Sequence, residues 1–236
     1  VERFVKELGV SIVGGCCGTT PAHIRALSNR LKGVVPNRKR RRKRVFVSGP
    51  QEAGAIGSSD DLVRIGERLK VRGSKKVRDA VERDDGIQMD VLLVVVQEQV
   101  TDLGIEIIDV CMDSNIVETE KVLPKAIYEL TSDFKGVMCI DSFSVEALQI
   151  AIESYPGRPI INSISLEEYQ AGVSKLDAVL SQTKQHHPVY VALVNGPEGP
   201  GQTADEKFKL ATEIVRQAKE NHGVTPDQLL IDVNAY

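Results

Sequence analysis

The sequence predicts an α/β fold, and more specifically a barrel of the (βα)8 type whose strands run parallel. From about residue 62 onward, short and almost purely apolar segments alternate with segments of helical periodicity. Strands of this kind belong to a parallel sheet that helices cover on its faces. Polar side chains, mostly Asp and Asn, follow several of these strands. Barrels and open α/β sheets both bind their ligands at that position, at the carboxyl ends of the strands.

Six strands are predicted in this part of the chain, at 62–65, 105–110, 137–140, 159–164, 189–194 and 229–233. Helical patterns lie between them, including those at 115–130, 144–154, 169–184 and 204–221. An open sheet that binds a nucleotide needs a glycine-rich turn after its first strand, and Ile65-Gly66-Glu67-Arg68 is not such a turn. We therefore favour the barrel over the open sheet. Because a complete barrel has eight strands, we expect an incomplete one.

The first part of the chain predicts a separate βα unit at residues 1–32. An apolar strand candidate at 10–13 leads into a turn with three glycines and two cysteines. A helix is expected to follow, with Thr20 as its N-cap and Pro21 as its first residue.

Residues 33–61 have no sustained period and contain Gly, Pro, Ser and seven consecutive basic residues at 38–44. We interpret them as a linker, which leaves 62–236 as the barrel. The basic run could also be a nuclear address or an RNA contact, but a solvated linker is favoured because nothing aromatic accompanies it.

Composition excludes several classes of protein. The net charge is −3 despite the basic run, so the rest of the chain is acidic, and aromatic residues make up only 4%. Neither property suits a nucleic-acid partner. No apolar run is long enough to span a membrane, and the four cysteines do not form a disulfide framework. We therefore expect a cytoplasmic protein with neither membrane nor nucleic acid among its partners.

The adjacent cysteines, Cys16 and Cys17, lie in a glycine-lined turn. On their own they could be two zinc ligands or two small buried residues. The string GGCCGTTPAHI around them resembles the zinc-binding end of homocysteine S-methyltransferase domains. This resemblance implies that Cys16 and Cys17 bind zinc, that a third cysteine ligand precedes this chain, and that homocysteine sulfur is the fourth ligand.

The second unit carries five strings at predicted strand ends: VRIGERL, EIIDVCMD, CIDSFS, PIINSISLE and LLIDVNAY. In this order they resemble the methyltetrahydrofolate-binding domain of cobalamin-dependent methionine synthases, one of the pterin-binding barrels. The resemblance implies a methyltransferase that moves the N5-methyl of 5-methyltetrahydrofolate to cob(I)alamin, carried by a domain in cis or in trans, and then to homocysteine. It also implies that this chain is a fragment, inactive alone, and that the Asn contacting N5 lies beyond its C-terminus.

The same resemblance assigns a pterin site. A reduced pterin presents N–H donors at its 2-amino group and N3 and an acceptor at O4, which carboxylates and amides can bind. By motif, the pterin-binding set is Asp141, Asn162 and Asp232, with Glu67, Asp109, Asn195 and Asn234 as neighbours at the same mouth. Any one of these alone could be a helix cap or a turn residue.

Two positions depart from the family pattern, because Lys70 and Cys111 stand where relatives usually have Asn. Lys70 could reach the glutamate tail of the folate or be a plain surface lysine. Cys111 is expected to be a small buried thiol rather than a reactive one. Two other functions therefore stay open: a methyltetrahydrofolate–corrinoid methyltransferase with a different acceptor, and a non-catalytic folate-binding module.

Overall fold

The computed structural model of the chain describes residues 1–7, 10, 12–15, 18–35, 45–57, 62–83 and 85–233. Contacts within the chain divide it into two compact units, Val1–Lys43 and Arg44–Tyr236. Among the described residues, no helix is both long and apolar enough to cross a membrane.

The described residues of the first unit form two helices, α1 (Glu2–Lys6) and α2 (Pro21–Leu31). Helix α2 begins as the sequence predicts, with Thr20 as N-cap, and the Thr20 backbone N–H donates to Nδ1 of His23 at 3.1 Å. The strand predicted at 10–13 is not found, since Val10, Ile12 and Val13 have no regular structure. A strand needs a neighbour for its backbone hydrogen bonds, and the described part of this unit contains no second strand.

The second unit alternates strands with helices. Its strands are β1 (Val45–Ser48), β2 (Ala53–Ile56), β3 (Ile65–Lys70), β4 (Ile107–Cys111), β5 (Val137–Asp141), β6 (Ile160–Ile164), β7 (Glu168–Gln170), β8 (Val173–Ser174), β9 (Val189–Leu193), β10 (Asn195–Gly196), β11 (Gly199–Pro200) and β12 (Leu229–Asp232). Its helices are α3 (Lys75–Val81), α4 (Met89–Gln97), α5 (Thr119–Asp133), α6 (Val145–Glu153), α7 (Lys175–Thr183) and α8 (Ala204–His222). A π-helical turn, Glu98–Asp102, extends α4, and short 3₁₀ turns occur at Lys184–His186 and Pro226–Gln228.

Six of the strands form one parallel sheet in the order β3-β4-β5-β6-β9-β12. Each strand of this sheet lies beside the sheet strand that follows it along the chain. A (βα)8 barrel has this order, whereas an open doubly wound sheet reverses its strand order at a switch point. The predicted incomplete barrel is therefore confirmed.

Alternate residues of the strands pack on opposite sides of the sheet. One side meets the helices, as Ile140 does in the large cluster that includes Leu123 and Leu148. The other side forms a smaller apolar cluster that includes Ile107, Val137, Cys139, Ile160 and Val189.

A hairpin of β1 and β2 closes the amino-terminal end of the sheet. Val47 is 1% exposed and packs into the smaller apolar cluster. The Arg158 guanidinium donates to the Phe46 carbonyl at 2.7 Å, and the Ser48 N–H donates to the Arg158 carbonyl at 2.9 Å. A Cβ at Gly49 would lie 1.9 Å from the Gly136 carbonyl oxygen, so this turn needs glycine.

The hairpin corrects the sequence prediction, because it lies within the range 33–61 that was interpreted as a linker. Its strands have only four residues each, and β2 consists mostly of Ala and Gly. So short a pattern gives little periodic signal. The hairpin belongs to the same compact unit as the sheet.

Other element boundaries also differ from the prediction. The first sheet strand was placed at 62–65 but forms at Ile65–Lys70, with a bulge between Gly66 and Leu69. This edge strand has exposed polar residues and so lacks the apolar pattern of the inner strands. The helix predicted at 169–184 begins only at Lys175, after the small hairpin of β7 and β8.

Candidate functional site

The carboxyl ends of four adjacent strands bring four predicted positions into one row. Lys70 of β3 pairs in register with Cys111 of β4, which pairs with Asp141 of β5, which pairs with Asn162 of β6. Neighbours in register in a parallel sheet point to the same side and lie about 4.8 Å apart. The row therefore presents a cation, a thiol, a carboxylate and an amide side by side.

Asp141 interacts with two other members of this row, Lys70 and Cys111. Its Oδ2 lies 3.6 Å from Nζ of Lys70. Burial raises the pKa of the Asp141 carboxyl, while Lys70 and a hydrogen bond from the Cys111 thiol oppose that rise. The site thus offers a partly buried carboxylate that neighbouring groups help to keep ionised.

Asp109 lies one pleat below the row on β4 and is 1% exposed. Burial, together with the charges of Asp141 and Glu67, raises the pKa of Asp109 to about 7, although hydrogen bonds with Cys139 and Asn162 work in the other direction. Its Oδ2 has no hydrogen-bond partner among the described residues. With this pKa, the Asp109 carboxyl changes between its protonated and ionised forms close to neutral pH.

The two thiols at the site are buried, and burial raises the pKa of both Cys111 and Cys139 above the usual range. A thiol that keeps its proton at neutral pH is neither a nucleophile nor a good metal ligand. The expectation that Cys111 is a small buried thiol is confirmed.

The turn after β5 is fixed by Asp113, which is 5% exposed. Its carboxylate accepts hydrogen bonds from the Ser142 hydroxyl at 2.6 Å and from the Phe143 backbone N–H at 2.8 Å. The Ser142 N–H in turn donates to the Asn162 carbonyl at 3.1 Å. Asp113 therefore holds in place the turn that follows Asp141. It was not among the predicted site residues, although its position just beyond β4 was a usable signal.

Lys175, at the start of α7, was also missed. Burial lowers the pKa of this ammonium, and the carboxylates of Asp141, Glu167 and Asp113 oppose that shift. Its Nζ lies 5.3 Å from the centre of the Phe143 ring. The sequence gives little signal for it, because Lys175 and Asp141 are far apart along the chain.

The remaining predicted site residues differ in their contacts. Glu67 is exposed on β3, and its charge acts on Asp109. Asn195 donates from Nδ2 to Oε2 of Glu167 at 3.2 Å, and Asp232 ends β12, where its carbonyl accepts from the Val194 N–H at 3.2 Å. The structure thus brings Glu67, Asp109, Asp141 and Asn162 together, with Asn195 and Asp232 at the carboxyl ends of the next two strands.

Three predicted residues, Cys16, Cys17 and Asn234, lie outside the described residues. Within the part of the chain that is described, no group of three or more His, Cys, Asp or Glu side chains is arranged to hold a metal ion.

Comparison with known proteins decides the family. Residues 66–236 match the sequence model of the pterin binding enzymes. The chain belongs to this family. Residues 1–31 match a second family, the homocysteine S-methyltransferases. The comparisons thus confirm the two resemblances indicated by the motifs, to a homocysteine S-methyltransferase domain and to a pterin-binding barrel.

The curated relatives are named methionine synthases. The chain is 32% identical over 236 residues to the one from Mycobacterium tuberculosis and 30% identical over 237 residues to the one from Mycobacterium leprae. Each match covers 97% of this chain but only 19% of the relative. The chain thus spans about a fifth of the length of these relatives.

Several solved structures that this chain resembles are dihydropteroate synthases. The enzyme from Vibrio fischeri matches with a TM-score of 0.54 and 15% identity, over 81% of this chain and 68% of that one. The enzyme from Xanthomonas albilineans, solved with 4-aminobenzoic acid, matches with a TM-score of 0.55 and 18% identity, over 80% of this chain and 66% of that one. At such identities the likeness concerns the fold, which is the barrel that the pterin-binding enzymes share.

Proposed function

We propose that the larger unit binds 5-methyltetrahydrofolate and presents its N5-methyl group to cob(I)alamin in a methionine synthase, with homocysteine as the final acceptor. The observation that carries this proposal is the row of Asp141 and Asn162, with Asp109 beneath it, at the carboxyl ends of adjacent strands. The similarity of nearly the whole chain to methionine synthases supports it.

The ring of the folate would bind edge-on to this row. An ionised carboxylate accepts two hydrogen bonds at once, so Asp141 suits the 2-amino and N3–H donors of the pterin. The Asn162 side chain can donate and accept, which suits the mixed donors and acceptors elsewhere on the ring. Asp113 and Ser142 would hold the turn after Asp141 rigid during binding.

The reactive group of the methyl transfer belongs to cob(I)alamin rather than to this chain. Cob(I)alamin, when its own domain presents it, supplies the nucleophile that takes the methyl group. The residues of this chain would bind the folate, orient its N5-methyl toward the open mouth of the barrel and fix its position. The zinc role of Cys16 and Cys17 stays a prediction.

The match of residues 1–31 to homocysteine S-methyltransferases favours homocysteine over another final acceptor. This observation counts against the methyltetrahydrofolate–corrinoid methyltransferase that the sequence left open. It also counts against a dihydropteroate synthase, whose likeness to this chain is one of fold.

Calorimetric titration with 5-methyltetrahydrofolate tests the proposal. Asp141→Asn keeps the size of the side chain but replaces one acceptor oxygen with a donor, so we expect the affinity to fall about 10-fold or more. The matched control is Glu153→Gln, an exposed carboxylate at the end of α6, which should bind as the wild type does. Equal affinity of wild type and Asp141→Asn, or no binding by a folded wild type, would contradict the proposal.

A further inference from the structure

An exposed aromatic ring with two cations beside it lies at the rim of the mouth. Phe143 follows Asp141 by two residues and is 68% exposed. The guanidinium carbon of Arg72 lies 5.9 Å from the centre of the Phe143 ring, and Nζ of Lys175 lies 5.3 Å from it. These residues follow β3, β5 and the β7–β8 hairpin, so three separate segments meet here. We call Arg72, Phe143 and Lys175 the rim cluster.

Hydrogen bonds hold the rim cluster in place. The Phe143 backbone N–H donates to Oδ2 of Asp113 at 2.8 Å, and Nη2 of Arg72 donates to Oδ1 of Asn115 at 3.0 Å. A cation within about 6 Å of an aromatic ring is also attracted to the face of that ring. Groups that are oriented before a ligand arrives lose less entropy on binding, so the rim cluster is suited to hold one.

Arg72 has unused capacity to bind an anion. Its guanidinium carries five N–H donors, and the bond to Asn115 uses one of them. Among the described residues, the partners of its side chain are Asn115 and Phe143, and neither carries a negative charge. Three nearby carboxylates, in contrast, already act on the charge of Lys175. Arg72 is therefore an exposed cation whose charge no described carboxylate pairs with, and guanidinium groups bind carboxylates through paired N–H groups.

Lys70, which the sequence left open as a partner of the glutamate tail of a folate, lies deeper in the site. Its Nζ is 3.6 Å from Oδ2 of Asp141, where the pyrimidine ring is proposed to bind. Arg72 comes two residues later, beyond the end of β3, and is exposed. The chain thus provides one cation beside the ring position and another farther out at the rim.

We propose that the rim cluster binds the poly-γ-glutamyl tail of a reduced folate, with Arg72 pairing with the carboxylates of the tail and Phe143 contacting its p-aminobenzoyl ring. This inference rests on the proposed function, and it specifies which form of the substrate the protein prefers. A folate whose pyrimidine ring lies on Asp141 extends its tail out of the mouth. The tail presents an aromatic ring and then carboxylates, which suit an exposed aromatic side chain and a cation.

The consequence is a preference for longer tails. Each further γ-linked glutamate brings one more carboxylate, so a longer tail places a carboxylate beside Arg72 more often. The protein has a net charge of −3, so its overall charge does not attract a polyanion, and the attraction has to come from local cations. Partly exposed ion pairs are individually weak, and we therefore expect a preference of about 5-fold that decreases as salt is added.

Calorimetric titration with the monoglutamate and triglutamate forms of 5-methyltetrahydrofolate tests this inference, because the two ligands have the same ring. The wild type should bind the triglutamate about 5-fold more tightly. Arg72→Gln removes the charge and should bring this preference close to 1. The matched control is Arg216→Gln, which removes the same charge from an exposed arginine of α8 that pairs with Glu213 and Glu220. This control should keep the wild-type preference.

The outcomes separate this inference from the proposed function. Asp141→Asn acts on the ring, so it should weaken both forms by a similar factor and leave the preference unchanged. If it does so while Arg72→Gln keeps the wild-type preference, the inference is wrong and the proposed function stands. A wild type without preference, or an equal loss of preference in Arg72→Gln and Arg216→Gln, also overturns the inference.

Failure of the folded wild type to bind either form would overturn both the inference and the proposed function. Thermal melts of the wild type and of each variant establish that the protein is folded before its affinity is compared.

Discussion

The amino-terminal and carboxyl-terminal ends of the parallel sheet differ in the polarity of their side chains. At the amino-terminal end, apolar side chains such as Ile107 and Ile160 pack under the β1–β2 hairpin. Two residues further along the same strands, the positions are Asp109 and Asn162. One end of each strand therefore stabilises the fold, whereas the other carries buried polar groups that cost stability and provide a binding site.

The largest effect is expected from placing a charge at the apolar end. Val47→Asp would bury an unpaired carboxylate under the hairpin, and we expect the free energy of unfolding to fall by at least about 4 kcal/mol. Phe46→Asp changes the neighbouring residue, which is 52% exposed, and should have little effect. Thermal or urea unfolding measures both. Similar losses in the two variants would show that the hairpin does not seal this end.

The second prediction concerns the dependence of stability on pH at the polar end. An unfolded Asp loses its proton near pH 4, whereas burial raises the pKa of Asp109 to about 7. Between these values the folded protein binds more protons than the unfolded chain, so stability falls as the pH rises. Replacing the carboxyl by a neutral amide removes that loss, worth up to about 4 kcal/mol for a shift of this size.

Urea unfolding of wild type and Asp109→Asn at pH 5 and pH 8 measures this effect. We expect the stability of the variant relative to the wild type to increase by about 3 kcal/mol from pH 5 to pH 8, because most of the loss falls between these pH values. Asp141 titrates in both proteins and interacts with Asp109, so the difference between them reports Asp109 together with its effect on Asp141. Parallel pH dependences would mean that Asp109 does not titrate as described.

A smaller loss is expected for Asp113→Ala. It leaves the Ser142 hydroxyl and the Phe143 N–H without their acceptor, which costs about 1–3 kcal/mol of unfolding free energy. Because the turn after Asp141 would loosen, the affinity for 5-methyltetrahydrofolate should fall as well. Ser142→Ala removes one of the two bonds and should lie between wild type and Asp113→Ala in both measurements. An unchanged affinity in Asp113→Ala would show that the turn does not support the site.

The sequence predicted the polar end of the sheet better than the apolar end. Asp141 ends one apolar strand and Asn162 lies within the next, and the parallel arrangement then places them side by side without further information. The hairpin at 45–56 escaped prediction because its strands are short and because Val47 packs against residues far along the chain, such as Ile107 and Ile160.

The sequence also did not reveal which side chains of the site contact one another. Whether Lys70 points into solvent or across Cys111 depends on the register of three strands and on a side-chain conformation. The positions of Asp113 and Lys175 near Asp141 depend in the same way on loops that fold back to the mouth. Motif order predicts which strands end together, but it does not predict how their side chains pair.

The central claim is that a reduced folate binds at the carboxyl ends of the strands with its pyrimidine ring on Asp141. A crystal structure of the protein grown with 5-methyltetrahydrofolate tests this most directly. We predict that the 2-amino and N3–H groups of the ring lie within hydrogen-bond distance of the Asp141 carboxylate. A ring bound elsewhere on the protein, or bound at the mouth without contact to Asp141, would contradict the account.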